Sequence, residues 1–346
     1  MSIVHDFSPP ARGVIVAGAC SLVIGLLKLA APILKPILLA VFIAIVLMPA
    51  LRWMSRHKVP KWGALALIAF VLLDVGSMLA LITTGALEGF RESFPTYQER
   101  FLALSQQLGG LAEGVGIEGA TAAIPDLMDP ANVSTGVRML LSSASELFAE
   151  GFIVILFVVF ILLEAPALQA KLKVAYRLSD EGSARLTRVL GAVNSYMQMK
   201  SVMSLLMATG LWLLLWLLGI DFAALWAILS FFLNFIPVIG GIVMMIPPVL
   251  MALVQTDLPT TLMVAGGYLV LHVVIGDVIE PKAMGKSLGI SVLTLLFALL
   301  FWDWLFGIVG IFLAVPLTTA LVIAFDASPH TRPLAILLGS NPKEEH

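Results

Sequence analysis

The sequence predicts an all-α, polytopic helical membrane protein with a small helical external domain. Of its 346 residues, 60% are hydrophobic and 12% are charged, whereas a soluble domain carries about 25% charged residues. Several apolar runs reach the roughly 20 residues that a helix needs to cross about 30 Å of hydrocarbon. The alternating strands of about ten residues that are typical of a membrane barrel do not occur in the sequence. We therefore expect about eight transmembrane segments, with six and ten as alternatives, some of them broken or re-entrant.

The amino-terminal region, residues 1–87, is predicted to hold three spans. Residues 13–34 and 36–51 are expected to form a helical hairpin, and a third span covers 62–87. The loop at 52–61 carries four lysine or arginine residues and no acidic residue. By the positive-inside rule this loop lies in the cytoplasm, which places the amino terminus there as well.

An acidic segment follows the third span and is predicted to form an extracytoplasmic helical domain at 88–146. Between 88 and 150 there are nine acidic residues and three arginines, a balance that suits the external face. Two sets of apolar residues recur at alternating spacings of four and three, which indicates two amphipathic helices separated by a glycine-rich break at 109–119. We expect these helices to pack on each other or on neighbouring subunits, with a simple helical cap as the alternative.

The rest of the chain is predicted to return to the cytoplasm and then to form the transport part of the molecule. A fourth span at 147–165 leads to a basic amphipathic segment at 166–200, which we place in the cytoplasm. Residues 201–325 form a carboxy-terminal membrane domain, and 326–346 form a cytoplasmic tail. The single cysteine, Cys20, excludes an intramolecular disulfide framework.

A broken helix is predicted near the middle of the carboxy-terminal domain. The apolar segments 222–235 and 238–254 are each too short to span comfortably, and a polar, proline- and glycine-containing stretch divides them. Proline removes a helix donor and glycine loosens the helix that follows, so we expect two half-helices that meet at a break. The residues expected to bind a polar solute or a cation there are Asn234, Pro237, Gly240 and Gly241. Capping of the break is the alternative role for the Asn234 side chain.

The charged stretch 276–289 is predicted to lie at the cytoplasmic edge as a gate or entry collar. It holds four of the seven charged side chains between Ser201 and Phe325. One hypothesis is a proton-responsive cluster of His272, Asp277 and Glu280, since α-helical spacing puts His272 and Glu280 close to one face with Asp277 flanking it. The alternative is a set of interfacial salt bridges from the two acidic residues to Lys282 and Lys286. The pathway residues expected here are His272, Asp277, Glu280 and Pro281.

Other residues singled out in the sequence concern ion binding and helix packing. Asp74 lies in the middle of an apolar span, where a carboxylate is costly, so it serves an ion or proton pathway or pairs with a polar group on a neighbouring helix. The last apolar block, 290–325, is expected to be a hairpin that turns at Trp302-Asp303-Trp304. The glycine and proline positions expected to serve gating or close helix packing are Gly285, Gly289, Gly307, Gly310 and Pro316.

The sequence also resembles a known family. Its pattern consists of Asn234-Phe235-Ile236-Pro237-Val238-Ile239-Gly240-Gly241, Pro247-Pro248, Glu280-Pro281-Lys282-Ala283-Met284-Gly285, Gly289-Ile290-Ser291, Trp302-Asp303-Trp304-Leu305-Phe306-Gly307-Ile308-Val309-Gly310 and Ala314-Val315-Pro316-Leu317. This ordered set is similar to that of the autoinducer-2 exporter family of bacterial inner-membrane proteins, and within it to the subgroup linked to quorum-signal export. Many relatives carry a proline where this chain has Val292.

The resemblance implies a secondary or facilitated transporter that exports a small polar solute, with the quorum-sensing signal autoinducer-2 as the expected substrate. It further implies a multi-pass protein of the bacterial inner membrane that forms a homo-oligomer, for which a pentamer is the expected state. Two alternatives stay open: a sodium(cation)/proton antiporter and an oligomeric membrane scaffold without transport. No metal, nucleotide or hydrolase motif occurs in the sequence, so neither a cofactor nor an enzymatic activity is expected.

Overall fold

The computed structural model describes residues 9–114, 151–165, 167, 171, 180–237, 239–284, 290–326 and 331–339, and within these ranges every regular element is a helix. The all-α prediction is therefore confirmed. The helices are α1 (Pro9–Arg56), α2 (Lys61–Gly114), α3 (Gly151–Ala165), α4 (Asp180–Leu217), α5 (Ala223–Leu233), α6 (Ile239–Gln255), α7 (Leu258–Leu271), a π-helical segment (His272–Ile279), α8 (Glu280–Met284), α9 (Val292–Phe306), α10 (Ile308–Asp326) and α11 (Arg332–Leu338).

Five helices of the described residues are long and apolar enough to cross a membrane, which agrees with a polytopic membrane protein. These candidate spans are Ala17–Arg56, Lys61–Ser93, Leu190–Leu217, Leu258–Ala283 and Ile308–Asp326. Four shorter apolar helices accompany them, and two of these, α5 and α6, were expected to be half-helices. The total of eight crossings stays a prediction.

The amino-terminal hairpin was predicted wrongly, because α1 is one continuous helix of 48 residues. Pro32 and Pro36 lie inside it without ending it. A proline removes one backbone donor, and membrane helices tolerate this loss when neighbouring groups satisfy the freed carbonyl. At 1.5 Å per residue the helix is about 70 Å long, more than twice the hydrocarbon thickness. The cytoplasmic placement of both termini stays a prediction, and at the amino end it no longer has the hairpin as support.

Helix α2 contains both the predicted third span and the first of the two predicted external amphipathic helices. It runs for 54 residues, with Pro95 inside it, so the helix continues beyond the glycine pair at Gly109. The first amphipathic helix is therefore confirmed as helical, but as an extension of a span instead of a separate element. The second predicted amphipathic helix, and the contact between the two, lie outside the described residues.

The described chain divides into two compact units, one formed by residues 1–43 with 289–346 and one by 44–288. In the first unit α9 and α10 form the predicted hairpin. The turn is at Gly307, whose φ of 64° is left-handed, and the tryptophan pair expected at the turn is helical. Gly310 permits the hairpin to close, because a Cβ there would lie 1.9 Å from the carbonyl oxygen of Trp302. The Trp302 indole N–H then donates to the Thr318 hydroxyl at 3.0 Å, and Pro316 is buried within α10.

The second unit has an apolar core formed mainly by α4, α6 and α7. Its most buried members include Leu211, Leu215, Met244 and Val264. Gly267 allows α7 to lie close to α4, since a Cβ there would approach the Leu214 side chain to 2.6 Å. Small residues at such crossings let membrane helices pack closely.

A group of polar contacts fixes the extension of α2 to two loops of the second unit. The Tyr97 hydroxyl donates to Asp221 Oδ2 at 2.6 Å, and Arg100 Nη1 donates to the carbonyl of Gln255 at 2.7 Å. The Gln255 side chain in turn donates to the Gly219 carbonyl and accepts from the Asp221 backbone N–H. These five residues, which we name the loop clasp, hold the end of α6 and the α4–α5 loop against one helix.

Candidate functional site

The predicted helix break exists and lies between α5 and α6. Helix α5 ends at Leu233 and α6 begins at Ile239. The turn is closed by local backbone bonds, from Ile236 N–H to the Leu233 carbonyl at 2.9 Å and from Gly240 N–H to the Ile236 carbonyl at 3.1 Å. Pro237 needs no acceptor, because it has no N–H to satisfy. The break is therefore a compact, hydrogen-bonded turn.

The Asn234 side chain reaches α4. Its Nδ2 donates to the Ser204 hydroxyl at 3.0 Å, and Ser204 is fully buried. The side chain therefore bonds to α4 and does not cap the break, which was the alternative role predicted for it. No described residue donates a hydrogen bond to Asn234 Oδ1, so the amide oxygen at the break is available as an acceptor.

Gly240 and Gly241 are required for close approach. A Cβ on Gly240 would lie 1.9 Å from the carbonyl oxygen of Leu233, the last residue of α5. A Cβ on Gly241 would lie 2.3 Å from Cε1 of His272, at the start of the π-helical segment. The Gly241 carbonyl accepts a hydrogen bond of 2.7 Å from the Tyr268 hydroxyl. Both glycines therefore let the start of α6 touch its neighbours directly.

His272, the first residue of the π-helical segment, lies against the helix break. Its ring lies nearly parallel to that of Tyr268, with an interplanar angle of 7° and a centroid separation of 6.3 Å. Among the described residues no hydrogen bond or ion pair joins His272 to Asp277 or Glu280, and Asp277 is exposed. The three-residue cluster expected from α-helical spacing does not form, because the π-helical turns between them change which residues share a face.

Glu280 pairs with a residue that the sequence reasoning missed. Lys200 Nζ lies 2.5 Å from Glu280 Oε1, and the two side chains are only 7% and 16% exposed. The expected salt bridge to Lys282 is absent from the described contacts, since Lys282 is exposed at the surface, and Lys286 lies outside the described residues. Lys200 had been assigned to the basic cytoplasmic segment that precedes the carboxy-terminal domain.

Lys200 is the middle member of a buried polar row on α4. Tyr196, Lys200 and Ser204 are spaced by four residues, so they share one face of the helix, and all three are buried. The recurrence of a polar side chain every four residues, continuing into the apolar part of α4 at Ser204, is the signal that could have identified Lys200. The row is about 12 Å long at 1.5 Å per residue. One end contacts Asn234 at the break and the middle contacts Glu280.

The remaining predicted residues differ in where the structure places them and in whether it describes them. Asp74 is exposed on α2, and its carboxylate makes no ion pair with any described residue, while Ser77 donates to its backbone carbonyl. Pro281 is exposed in α8, and Gly285 and Gly289 lie outside the described residues. Gly307, Gly310 and Pro316 belong to the other compact unit. Within the described ranges no group of three acidic, histidine or cysteine side chains could hold a metal ion.

A cavity of about 390 Å³ lies beside the polar row, between α2, α4 and α5. Its walls are mostly apolar, so they offer few hydrogen-bond partners to a polar solute. The polar side chains in the lining are Thr209, which donates to the Leu205 carbonyl at 2.8 Å, and Trp212. The candidate site is therefore the group formed by Ser204, Asn234, Gly241, Tyr268 and His272, with the Lys200–Glu280 pair beside it.

Comparison with known proteins agrees with this architecture. The model of the family described as AI-2E family transporter matches residues 14–330. The AI-2 transport protein TqsA of Escherichia coli is 33% identical over 331 residues, which cover 96% of each chain. A putative transport protein of Haemophilus influenzae is 38% identical over 90% of this chain and 91% of its own. A sodium-lithium/proton antiporter of Halobacillus andaensis is 24% identical over 86% of this chain and 89% of its own. The chain is a multi-pass membrane protein and belongs to the AI-2E transporter family.

Proposed function

We propose that this transporter exports a small, uncharged, hydroxyl-rich solute, and that autoinducer-2 is its substrate. The observation that carries the proposal is the Asn234 side chain at the helix break. Its amide nitrogen donates one hydrogen bond to Ser204, while its oxygen accepts no hydrogen bond from the described residues. Broken helices in transporters place such polar groups where a solute binds.

The polar groups at the break suit a neutral solute better than a cation. An amide, two hydroxyls and an imidazole surround the turn, from Asn234, Ser204, Tyr268 and His272. Glu280, a partly buried carboxylate near this region, is already neutralised by Lys200. A monovalent cation would need several oxygen ligands or an unpaired carboxylate, whereas hydroxyl groups can both donate to the Asn234 oxygen and accept from a hydroxyl. The name of the relative TqsA, an AI-2 transport protein, supports the same substrate.

The proposal is tested by measuring autoinducer-2 outside bacteria that lack their own exporters of the signal. Cells that produce the wild-type protein should accumulate more external signal than cells with an empty vector. Asn234→Ala should remove most of this difference, because the solute loses an acceptor at the break. A matched control is Asn194→Ala, since the Asn194 side chain lies on α4 and bonds only to Gln198 at 2.8 Å among the described residues.

Two results would overturn the proposal. One is equal external signal with and without the protein, when the protein is present in the membrane at normal levels. The other is sodium-driven proton movement in proteoliposomes that Asn234→Ala leaves unchanged and Asp74→Asn abolishes. The second result would favour antiport, the activity in the name of the Halobacillus andaensis relative.

A further inference from the structure

The π-helical segment His272–Ile279 has a cause in the sequence. The Glu280 N–H donates to the carbonyl of Ile275, five residues back, as a π-helix requires. The next residue, Pro281, has no N–H, and in a regular α-helix its ring would clash with the carbonyl of Asp277, four residues earlier. A wider turn relieves that clash. Single π-turns inside membrane helices occur frequently at functional positions.

The two ends of the segment are held by different parts of the second unit. At its start, His272 touches Gly241 at the helix break, so closely that a methyl group on Gly241 would collide with the ring. Just beyond its end, Glu280 forms the buried pair with Lys200 of α4. A conversion of the segment from π to α would tighten each turn and rotate the residues that follow about the helix axis relative to His272. After that rotation, the contact of His272 with Gly241 and the contact of Glu280 with Lys200 could not both be kept.

The pair is costly to separate where it stands. The charged ends of Lys200 and Glu280 are both largely removed from solvent, and a charge left alone in such a place is strongly unfavourable. The pair therefore favours the register that sets Glu280 opposite Lys200. An apolar pair of similar size could pack there at no loss of stability, so the ion pair is not needed for folding alone.

We propose that Lys200 is a positioning residue of the transport cycle: through Glu280 it holds the π register that keeps His272 against the helix break, and release of this pair lets the segment change register as solute passes. The inference rests on the proposed passage of solute along the break. Lys200 itself touches neither the break turn nor, by this proposal, the solute. Its effect is on the position of the π-helical segment.

The test uses a transport assay and a distance measurement on the full-length protein. The variants are Lys200→Met, Lys200→Arg and the double variant Lys200→Met with Glu280→Met. We expect Lys200→Met to lower the export rate by about tenfold or more, with an apparent KM within about twofold of wild type. Lys200→Arg should retain most of the rate, because it keeps the charge. The double Met variant should be folded and stable, yet still slow.

The second readout needs no substrate. Cys20 is the single cysteine, so a Cys20→Ser background accepts spin labels at chosen sites. Labels at Asn194→Cys on α4 and Lys282→Cys beyond the π-helical segment report the register as a distance. Wild-type Lys200 should give one main distance, and the Met variants a second, shifted population. Lys200→Arg should give the wild-type distribution.

The outcomes separate this inference from the proposed function. A double Met variant with wild-type export and an unchanged distance distribution would show a purely structural pair and overturn the inference. Absence of autoinducer-2 export by the wild-type protein would overturn the proposed function, while the distance measurement would still decide whether Lys200 sets the register. A shifted population without slowed export would refute the link between register and transport.

Discussion

Alanine substitutions at three glycines test the geometry of the helix break with nearly identical chemical changes. Gly266, Gly241 and Gly240 all lie in apolar membrane helices. At Gly266 an added methyl group has no atom within 4 Å, at Gly241 it meets the edge of the His272 ring at 2.3 Å, and at Gly240 it meets a backbone oxygen at 1.9 Å. An ordinary carbon–oxygen contact is about 3.3 Å or longer. The three sites therefore differ in what must move.

The expected magnitudes follow from two opposing effects. Replacing a helical glycine by alanine gains up to about 1 kcal/mol of helix propensity, and overpacking costs about 1–3 kcal/mol. Gly266→Ala has only the gain, so it should be neutral or slightly stabilising. Gly241→Ala should lose about 1–2 kcal/mol, because an imidazole held by Tyr268 must shift. Gly240→Ala should cost the most, about 3 kcal/mol or more, since the end of α5 has to move by over 1 Å.

Unfolding in detergent, by heat or by a denaturing detergent, gives the free-energy differences, and a second substitution identifies the cause. His272→Ala should rescue Gly241→Ala, because it removes the ring that the new methyl group meets. It should not rescue Gly240→Ala, whose obstacle is backbone. Equal unfolding midpoints for Gly240→Ala and Gly266→Ala would refute the close approach of α5 and α6. A Gly241→Ala defect that His272→Ala leaves intact would refute the contact between the break and the π-helical segment.

Three further predictions concern the Lys200–Glu280 pair, the loop clasp and the start of α7. Lys200→Met alone should destabilise the protein by about 3–5 kcal/mol, and removal of its partner's charge should restore much of this in the same unfolding assay. Tyr97→Phe should cost about 1 kcal/mol, because the bond to Asp221 is lost from the loop clasp. Burial, and after it the bond to Asp221, raises the pKa of Tyr97 to about 12. The stabilisation by this bond is therefore fully present below about pH 10 and is lost as the pH rises through 12. Asp257→Ala should lower the unfolding temperature, because the Asp257 carboxylate caps the start of α7. Hydrogen bonds from the Thr260 hydroxyl and backbone N–H lower the pKa of this carboxyl group, so its stabilising effect is present above about pH 4 and is lost at lower pH. Unfolding midpoints measured against pH for the wild type and the variant would test this.

Features set by local chemistry were predictable from the sequence. The break at Pro237 and Gly240 follows from a missing donor and a missing side chain, and both effects act within one turn of the chain. The turn of the last hairpin was placed a few residues early. The tryptophan pair suggested an interface, whereas the left-handed backbone at Gly307 decides where the chain reverses.

Features set by partners distant in sequence were not predictable. Pro36 alone could not show whether α1 stops, because neighbouring groups decide whether a freed carbonyl is tolerated. Lys200 appeared as one more basic residue of a cytoplasmic segment, since its partner Glu280 lies 80 residues away. The π-turns of His272–Ile279 were also not predicted, so the spacing of Asp277 and Glu280 was interpreted as that of an α-helix.

The two irregular backbone segments of the second unit, the helix break and the π-helical segment, lie in contact with each other. Irregular backbone at membrane depth is tolerated where it is buried in protein or lines a water-filled path. The break before Gly241 and the π-turn that begins at His272 meet each other, so each is buried in part against the other. The polar row on α4 supplies the third side, with neutral groups at Ser204 and a charged pair at Lys200. Under the proposed function, a neutral solute at the break would be met by groups that can exchange hydrogen bonds with it, while the costly charges stay paired with each other. Movement of the π-helical segment is the step that would couple the two ends of this row.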